Sequence, residues 1–563
     1  MTSVHPLRAA ALAAIFLPFL AAPAAVSAAP ASVTDQMLLN AGQDPNNWLM
    51  YGRDYSNTRY SPLVQINSGN AGRLTHQWSF SFGVLDGQTT TPVVNDGVMY
   101  VTSSWSKLFA LDAKTGEMLW RYDHPLPDDV AKYACCDVVN RGAALYGDNV
   151  YLATLDMHVV ALDAKNGKVV WDTKLDNYKR AYTFTVAPLI VKGKVIVGTS
   201  NGEYPVRGFI AALDAQTGKE LWRTYTVPGP GEPGNDTWGG ESWKYGGGSA
   251  WVTGSYDPQI NLIYWGVGNP APDWDADARP GDNLYSNSAL ALDPDTGAIK
   301  FHFQYTPHDV WDYDGVNENI LVNVRGKKAW VHADRNGYFY AIDRTNGKFL
   351  YARPISEVNW GKLDANGRPV VDASKVPTRT TKAMDVCPGP NGGKEWNPMA
   401  VNPQAGLVFI PVREVCVTDL QSLQQEPMDG EPYWGVKEIR FKRGYGKLTA
   451  VDIETGKTIW DVRMRSPVMS GVLTTAGYVV FAGTPEGEFV AFDAKTGKEL
   501  YRHRVGSGIV GGIMTYAVDG KQYVAVPSGF GGWVGWATIG GGGAPHLKDL
   551  PKGGSLHVFA LSQ

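Results

Sequence analysis

Short apolar runs alternate with polar turns along most of this chain, and a single turn pattern follows seven of the runs. The pattern reads Ala-x-Asp-x-x-(Thr/Asn)-Gly, and an aromatic residue follows the glycine by four positions. Asp with Thr or Asn favours a tight turn, in which Gly supplies a positive φ. We therefore predict β-strands on both sides of each turn and an aromatic side chain that packs on the neighbouring unit. The Asp, Gly and aromatic members are Asp112/Gly116/Trp120, Asp163/Gly167/Trp171, Asp214/Gly218/Trp222, Asp293/Gly297/Phe301, Asp343/Gly347/Tyr351, Asp452/Gly456/Trp460 and Asp493/Gly497/Tyr501.

The spacing of these turns predicts an all-β, eight-bladed propeller with tryptophan-docking repeats. Successive Asp positions lie 51, 51, 79, 50, 109 and 41 residues apart. β repeats of this size stack on one another because none can bury its own face alone. A degenerate copy at residues 70–74, leading to Trp78, supplies the eighth unit. We expect the strand at 556–561 to close the ring with the N-terminal segment, which protects the sheet edges.

The longest interval between turns, 109 residues, is about twice the usual one. We interpret it as holding a degenerate blade, with a strand pair at residues 400–409. Insertions at 223–250, 270–288 and 353–398 are expected to form loops on the faces of the propeller, where functional sites usually lie.

Composition agrees with a large β protein and argues against one class of partner. Apolar residues make up 44% of the chain, and 64 Gly, 35 Pro and 19 Trp fit a fold that is rich in turns and aromatic packing. The formal charge is only −4 and there is no basic run, so nucleic-acid binding has no electrostatic support.

The N-terminal segment has the features of an export signal. Arg8 precedes the apolar stretch 9–20, and Val26-Ser27-Ala28 offers a small-residue cleavage site. We predict a signal peptide at residues 1–28 and a single periplasmic propeller domain at 29–563. A membrane anchor is the alternative, but the apolar stretch is short for a span, and no later segment is long and apolar enough.

The four cysteines form two groups with different geometry. Cys387 and Cys416 could staple one blade in an exported protein, or could be buried thiols. Cys135 and Cys136 are adjacent, and neighbouring Cα atoms lie about 3.8 Å apart, whereas ordinary disulfides need roughly 4.4–6.8 Å. A bond between them would be a strained ring, typical of functional sites; two separate thiols are the alternative. No Cys-x-x-Cys-His motif for an attached c-type haem occurs.

The sequence around the adjacent cysteines resembles one enzyme family. Residues 133–142 (YACCDVVNRG) are similar to the vicinal-disulfide segment of the quinoprotein alcohol dehydrogenases, the methanol and ethanol dehydrogenase family. These enzymes use pyrroloquinoline quinone (PQQ). The resemblance covers essentially the whole mature chain and implies a Cys135–Cys136 disulfide. Further matching segments lie at 202–208, 268–270, 311–315, 334–337 and 531–533.

Three of these segments carry candidate metal ligands. Glu203, Asn269 and Asp312 offer only oxygen donors, which suit a hard cation such as Ca²⁺ and do not suit Zn²⁺. They come from different blades, and a propeller's central channel is a place where distant repeats converge. Taken singly, each has an ordinary structural interpretation as a turn residue or an ion-pair partner. By resemblance to the lanthanide-dependent branch, Asp314 adds a fourth protein ligand. The alternative is that Asp314 lies behind the ligands and does not contact the cation. Both Ca²⁺ and a trivalent lanthanide remain open.

The resemblance also implies a cofactor site and a reaction. PQQ would lie between the vicinal disulfide and the indole of Trp251. Asp312 would take the proton of a substrate hydroxyl while hydride leaves the carbinol carbon for PQQ. Electrons would then pass to an external soluble cytochrome c; the oligomeric state is left open. Further predicted contacts to PQQ come from Arg141, Thr185, Ser200, Gly202, Trp533 and Arg335, the last of which has a structural salt bridge as its alternative.

Three positions depart from the methanol-oxidising pattern. Thr89 stands where the family commonly has a PQQ-contacting Glu, Glu395 where Asn is usual, and Met469 where a Trp often borders the substrate space. Because Met is flexible and smaller than an indole, we predict a larger substrate than methanol: a primary or secondary alcohol, a polyol or sugar alcohol, or a bulky cyclic alcohol. Two other functions compete, a non-catalytic propeller scaffold of the outer-membrane assembly type and a quinoprotein aldose dehydrogenase.

Overall fold

The computed structural model describes residues 30–467, 470–532, 535, 539–541 and 544–562. Within these residues eight sheets follow one another as propeller blades, each built on four antiparallel strands. Blades 1 to 4 comprise Val93–Asn95, Val98–Ser103, Lys107–Asp112 and Met118–Asp123; Ala144–Tyr146, Asn149–Ala153, His158–Asp163 and Val169–Lys174; Leu189–Val191, Lys194–Gly198, Phe209–Asp214 and Glu220–Tyr225; and Ser255–Asp257, Leu262–Val267, Ser288–Leu292 and Ile299–Gln304. Blades 5 to 8 comprise Ile320–Val324, Lys327–Ala333, Tyr338–Asp343 and Phe349–Pro354; Ala400–Asn402, Leu407–Glu414, Tyr445–Asp452 and Thr458–Met464; Leu473–Thr475, Val479–Gly483, Glu488–Asp493 and Glu499–Arg504; and Met514–Val518, Lys521–Ser528, Ser555–Leu561 and Leu74–Ser81.

Helices are short and peripheral to this sheet framework. The α-helix Asp35–Leu39 begins at Thr34, whose hydroxyl accepts a hydrogen bond from the Met37 amide. In the described part of the chain no helix is both long and apolar enough to cross a membrane. Single 3₁₀ turns occur at Ala71–Arg73, Val130–Tyr133, Tyr178–Arg180, Asn235–Thr237, Ser242–Tyr245, Ala276–Ala278, Ala373–Lys375 and Pro545–Leu547.

The predicted turn motif joins the third and fourth strands of its blade. In blade 1 the Asp112 carboxylate accepts hydrogen bonds from the amides of Lys114 (2.9 Å) and Thr115 (2.8 Å). The indole of Trp120 then donates to the Ala164 carbonyl of blade 2 (3.0 Å) and lies against Gly167, where an added Cβ would come within 2.5 Å of the ring. The prediction that each aromatic packs on the next unit is confirmed.

Gly167→Ala, compared with a control variant, tests how much this docking contact stabilises the fold apart from the cost of a left-handed backbone conformation. A methyl group at Gly167 meets the Trp120 ring, and φ at Gly167 is +70°. Overpacking and a left-handed Ala together should lower the free energy of unfolding by about 2–4 kcal/mol. Gly97→Ala is the matched control, because φ is +77° there and nothing lies within 4 Å. Denaturant unfolding should show a loss of only about 1–2 kcal/mol for the control; equal losses would contradict docking as the cause.

The ring closes as predicted, through the first and last blade strands of the chain. Leu74–Ser81 pairs antiparallel with Ser555–Leu561, and Leu74 is opposite Leu561. The N-terminal strand Tyr60–Ser61 adds a short parallel edge to blade 7 beside Leu473–Thr475.

The interpretation of the 109-residue interval was wrong in one respect. Residues 400–409 do form a strand pair, but it is the inner half of blade 6, whose turn is at Asp452. The extra length is an insertion, so the interval holds no additional blade. The insertion carries the hairpin Gly361–Leu363/Pro369–Val371 and a three-stranded sheet of Ala383–Val386, Val417–Ser422 and Val436–Phe441. The Cys387–Cys416 disulfide ties the first strand of this sheet to the segment that leaves blade 6.

Candidate active site

Loops from several blades line a cavity. Most of the predicted site residues face it, although their blades are far apart in sequence. Glu203 lies between the second and third strands of blade 3, Asp312 between blades 4 and 5, and Arg335 within blade 5. The cavity is lined by Thr89, Cys135, Cys136, Val139, Arg141, Thr185, Ser200, Asn201, Glu203, Trp251, Asp312, Asp314, Arg335, Glu395 and Trp396.

The candidate metal ligands come together at one side of the cavity. Asn269 is fully buried, and its backbone N–H donates to Asp314 Oδ1 at 2.7 Å. Two glycines allow this approach: an added Cβ would lie 2.3 Å from Asn269 Oδ1 at Gly202 and 2.4 Å from Asp314 Oδ1 at Gly268. The Asn269 Oδ1 atom is buried and accepts no hydrogen bond from any described residue. A buried acceptor without a donor is the arrangement expected of a cation ligand.

Arg335 partly balances the carboxylates of this cluster. Its guanidinium donates to Asp314 Oδ2 (2.5 Å) and to both oxygens of Asp312 (3.3 and 3.2 Å). It also lies 3.3 Å from Glu395. Arg335 therefore makes the ion pairs expected from its structural interpretation, while it also lines the cavity where PQQ is predicted.

The carboxylates remain under-compensated in spite of Arg335. Burial, with a further contribution from the negative charge of Asp314, raises the pKa of Glu203 to about 7. Burial also raises the pKa of Asp312; Arg335 opposes this shift, and Asp314 adds to it. Removal from water disfavours the charged form of a carboxyl group, and a nearby positive charge restores it. The donor set of carboxylate and amide oxygens thus fits a hard cation such as Ca²⁺ or a lanthanide.

One wall of the cavity is the predicted vicinal disulfide. Cys135 and Cys136 are bonded, with their Cα atoms 3.7 Å apart. The backbone is left-handed at Cys136 (φ +66°) and at Asp137 (φ +94°), and the Cys135 amide donates to Asn201 Oδ1 at 2.9 Å. A carboxylate oxygen of Glu203 lies within 4.8 Å of both sulfur atoms. The disulfide and the acidic cluster therefore border the same space.

Another part of the wall combines aromatic rings with a buried arginine. The Arg141 guanidinium lies 4.4 Å from the Trp251 ring and 4.7 Å from the Trp396 ring. It donates to the Thr185 hydroxyl at 2.6 Å, which lies 2.7 Å from the Ser200 hydroxyl. Burial lowers the pKa of Arg141 to about 10, so it stays cationic at neutral pH. Its Nε is buried and has no partner among the described residues, which suits a flat anionic ligand.

The positions that depart from the family pattern have structural partners of their own. The Thr89 hydroxyl donates to the Asn140 carbonyl at 3.2 Å. Glu395 is buried between Arg335 and Arg413, at 3.3 and 3.8 Å. The predicted cofactor contact Trp533, the substrate-bordering Met469 and the signal peptide at 1–28 lie outside the described residues.

The structure also brings in residues that sequence reasoning missed. Residues 423–435, which connect two strands of the inserted sheet, reach across to the acidic cluster. The Tyr433 amide donates to the Glu203 carbonyl (2.8 Å), and the Trp434 carbonyl accepts from the Trp274 amide (3.1 Å). Asp273 is fully buried beside Asn269. The sequence carried no signal for the connection, whereas Asp273 lies four residues after a predicted ligand.

Comparison with known proteins agrees with this site. The family model described as "PQQ: Glucose/ethanol/alcohol dehydrogenase, beta-propeller domain" matches residues 48–385 and 371–524. The chain is 44% identical to quinoprotein alcohol dehydrogenase PedH of Pseudomonas putida, over 95% of this chain and 94% of that protein. It is 39% identical to a lanthanide-dependent methanol dehydrogenase of Methylacidiphilum fumariolicum, over 93% and 94%.

Solved structures give the same relationship. A europium-containing methanol dehydrogenase superposes with a TM-score of 0.89 at 38% identity, covering 94% of this chain and 100% of that one. Both the sequence similarity and the fold extend over nearly the full length of the molecule. The chain therefore belongs to the family of PQQ-dependent quinoprotein alcohol dehydrogenases.

Proposed function

We propose that this chain is a periplasmic enzyme that oxidises an alcohol larger than methanol to an aldehyde or ketone, with PQQ and either Ca²⁺ or a trivalent lanthanide as cofactors. The observation that carries the proposal is that Glu203, Asp312 and Asp314 line one cavity, which the vicinal disulfide also borders. Asn269 lies directly beside this cavity, hydrogen-bonded to Asp314. Family membership supports alcohol oxidation, and a scaffold would need neither feature.

Different residues of the cavity would hold the cation and the quinone. The oxygens of Glu203, Asn269, Asp312 and Asp314 would hold the cation. The vicinal disulfide, the Trp251 ring, Arg141 and Arg335 would hold the flat, anionic quinone. When bound, PQQ supplies the two-electron acceptor, and the cation supplies a Lewis acid.

Asp312 is the proposed general base for the substrate hydroxyl. Its carboxylate lines the cavity, and Arg335 holds both of its oxygens, so its orientation is fixed before substrate binds. A cation beside it would favour the ionised form, which offsets the effect of burial. The ionised carboxylate can then accept the hydroxyl proton of the substrate as the C–H bond breaks.

Support for a larger substrate comes from the composition of the pocket. By the family resemblance, Met469 stands where a Trp often borders the substrate space. Trp251, Trp396 and Val139 give the cavity apolar surface. We also propose an external soluble cytochrome c as the electron acceptor, as the family resemblance implies. Export to the periplasm follows from the predicted signal peptide.

Reconstitution of the purified, metal-stripped protein tests this function. We expect dye-linked alcohol oxidation only when PQQ is added together with Ca²⁺ or La³⁺, and kcat/KM should be higher for butanol, cyclohexanol or a sugar alcohol than for methanol. Aldoses belong in the same panel, and reduction of a soluble cytochrome c is measured in parallel. Activity without PQQ, or with an aldose alone, would contradict the proposal; preference for methanol would overturn its substrate-size part.

A further inference from the structure

Asp273 is a buried carboxylate that the predicted ligand set does not include. It is 0% exposed, and its Oδ1 accepts a hydrogen bond from Asn269 Nδ2 at 2.8 Å. An amide group has one acceptor oxygen and one donor nitrogen, so the hydrogen bond that binds the nitrogen also fixes the direction of the oxygen. Asp273 therefore holds Asn269 with Oδ1 turned away from it, where no described residue donates to it.

The second oxygen of Asp273 strengthens this interpretation. Oδ2 is buried and, like Asn269 Oδ1, has no hydrogen-bond donor among the described residues. Two neighbouring side chains thus present acceptors without donors, which is costly unless a cation or an ordered water completes them. Asp273 also experiences the charges of Glu203 and Asp314, so the three carboxylates share one electrostatic environment.

The nearby arginine does not remove the need for a cation. Arg279 is fully buried, yet it donates to the backbone carbonyls of Pro272 (2.9 Å) and Asp273 (3.0 Å) and to the side-chain oxygen of Asn283 (2.9 Å). These hydrogen bonds therefore stabilise the loop that carries Asp273. Its charge attracts the carboxylate, but no residue in the described part of the chain donates a hydrogen bond to the Oδ2 atom.

We propose that Asp273 is a positioning residue of the cation site, which locks the Asn269 amide with its oxygen toward the ion and adds a buried negative charge that favours a trivalent over a divalent cation. The inference rests on the proposed function, because it requires a cation between Glu203, Asn269, Asp312 and Asp314. Residues that orient metal ligands typically change metal affinity by roughly 10- to 100-fold when they are replaced.

The charge of the ion predicts how much affinity each class of cation loses when Asp273 is neutralised. Coulomb energy is proportional to the charge of the ion, so removal of one negative charge costs a trivalent ion 1.5 times the free energy that it costs a divalent one. Asp273→Asn keeps an acceptor for Asn269 and removes the charge. We expect it to weaken Tb³⁺ binding by about 30-fold and Ca²⁺ binding by about 10-fold.

The experiment uses the full-length, metal-stripped protein with PQQ bound. Tb³⁺ affinity is measured by sensitised luminescence, and Ca²⁺ affinity by competition against Tb³⁺. Asp257→Asn is the matched control, because Asp257 is also buried but pairs with Arg344 in another part of the blade framework (2.7 Å); we expect it to change neither affinity. Asp273→Ala removes acceptor and charge together, and should weaken both ions more than Asp273→Asn does.

The outcomes are separable. If Asp273→Asn lost affinity for Tb³⁺ and Ca²⁺ by the same factor, or lost none, the inference would be overturned. The proposed function would still stand as long as the wild type bound both ions. If the wild type bound neither ion, the proposed function itself would fail. Melting curves check that each variant folds; if Asp273→Ala does not fold, the isosteric Asp273→Asn still decides, and if neither folds, Asp273 is a structural residue and the inference is overturned.

Discussion

Asp312→Asn is expected to lower kcat for alcohol oxidation by about 10²- to 10⁴-fold, because an amide cannot accept the hydroxyl proton. The substitution preserves side-chain shape and can still accept hydrogen bonds from Arg335, which contacts both oxygens of Asp312 in the native protein. The measurement is dye-linked turnover at saturating PQQ and metal, with the melting temperature recorded for the same preparation.

A matched variant separates loss of the base from loss of an ion pair. Glu395 also contacts Arg335, at 3.3 Å, and lines the same cavity, but it is not the proposed base. Glu395→Gln should therefore reduce kcat by less than about tenfold, which is below the range typical of losing a general base. Full activity in Asp312→Asn, or equal losses in the two variants, would remove Asp312 from the role of base.

Asp314→Asn is expected to lower the affinity for La³⁺ by about 100-fold and that for Ca²⁺ by about 20-fold. The ratio of the two losses follows from ionic charge, because removal of one negative charge costs a trivalent ion 1.5 times the binding free energy that it costs a divalent ion. The amide oxygen can still accept the hydrogen bond from the Asn269 backbone, which is 2.7 Å long in the native structure. The change thus acts on charge more than on loop geometry.

Competition titrations of La³⁺ and Ca²⁺ against Tb³⁺ give both affinities in one series. Wild type and Asp257→Asn provide the reference values. If Asp314→Asn changed the two affinities by the same factor, Asp314 would act through Arg335 or the loop and not through its charge. If neither affinity changed, Asp314 would lie outside the coordination shell.

The repeat architecture is encoded locally and could be predicted. Each turn needs an Asp, a Gly with positive φ and an aromatic residue at fixed spacing, and these needs are independent of the rest of the chain. The same locality explains the one error in the blade assignment. A long interval between two turns indicates extra residues, but it does not show whether they form a blade. The strands Ala383–Val386 and Val417–Ser422 in fact pair with each other in a sheet separate from the blades.

The site could be predicted only in part, because its members meet through the tertiary fold. Family resemblance located Glu203, Asn269 and Asp312 one by one, and the structure places Glu203 and Asp312 on one cavity with Asn269 directly beside it. Asp273 and Tyr433 had no motif to mark them. Their roles arise from hydrogen bonds to Asn269 and to the Glu203 backbone, and such contacts depend on how loops from separate blades are folded over the channel.

By itself, the sequence determined the β-propeller and its closure, since turn residues are properties of individual side chains. From its donor atoms it also predicted the chemical type of the site. The tertiary structure alone decided which carboxylates share a cavity, which three of them pair with Arg335, and which buried oxygens lack a donor among the residues that the structure describes. Burial and charge proximity set these quantities, and both exist only after the eight blades have packed around a common axis.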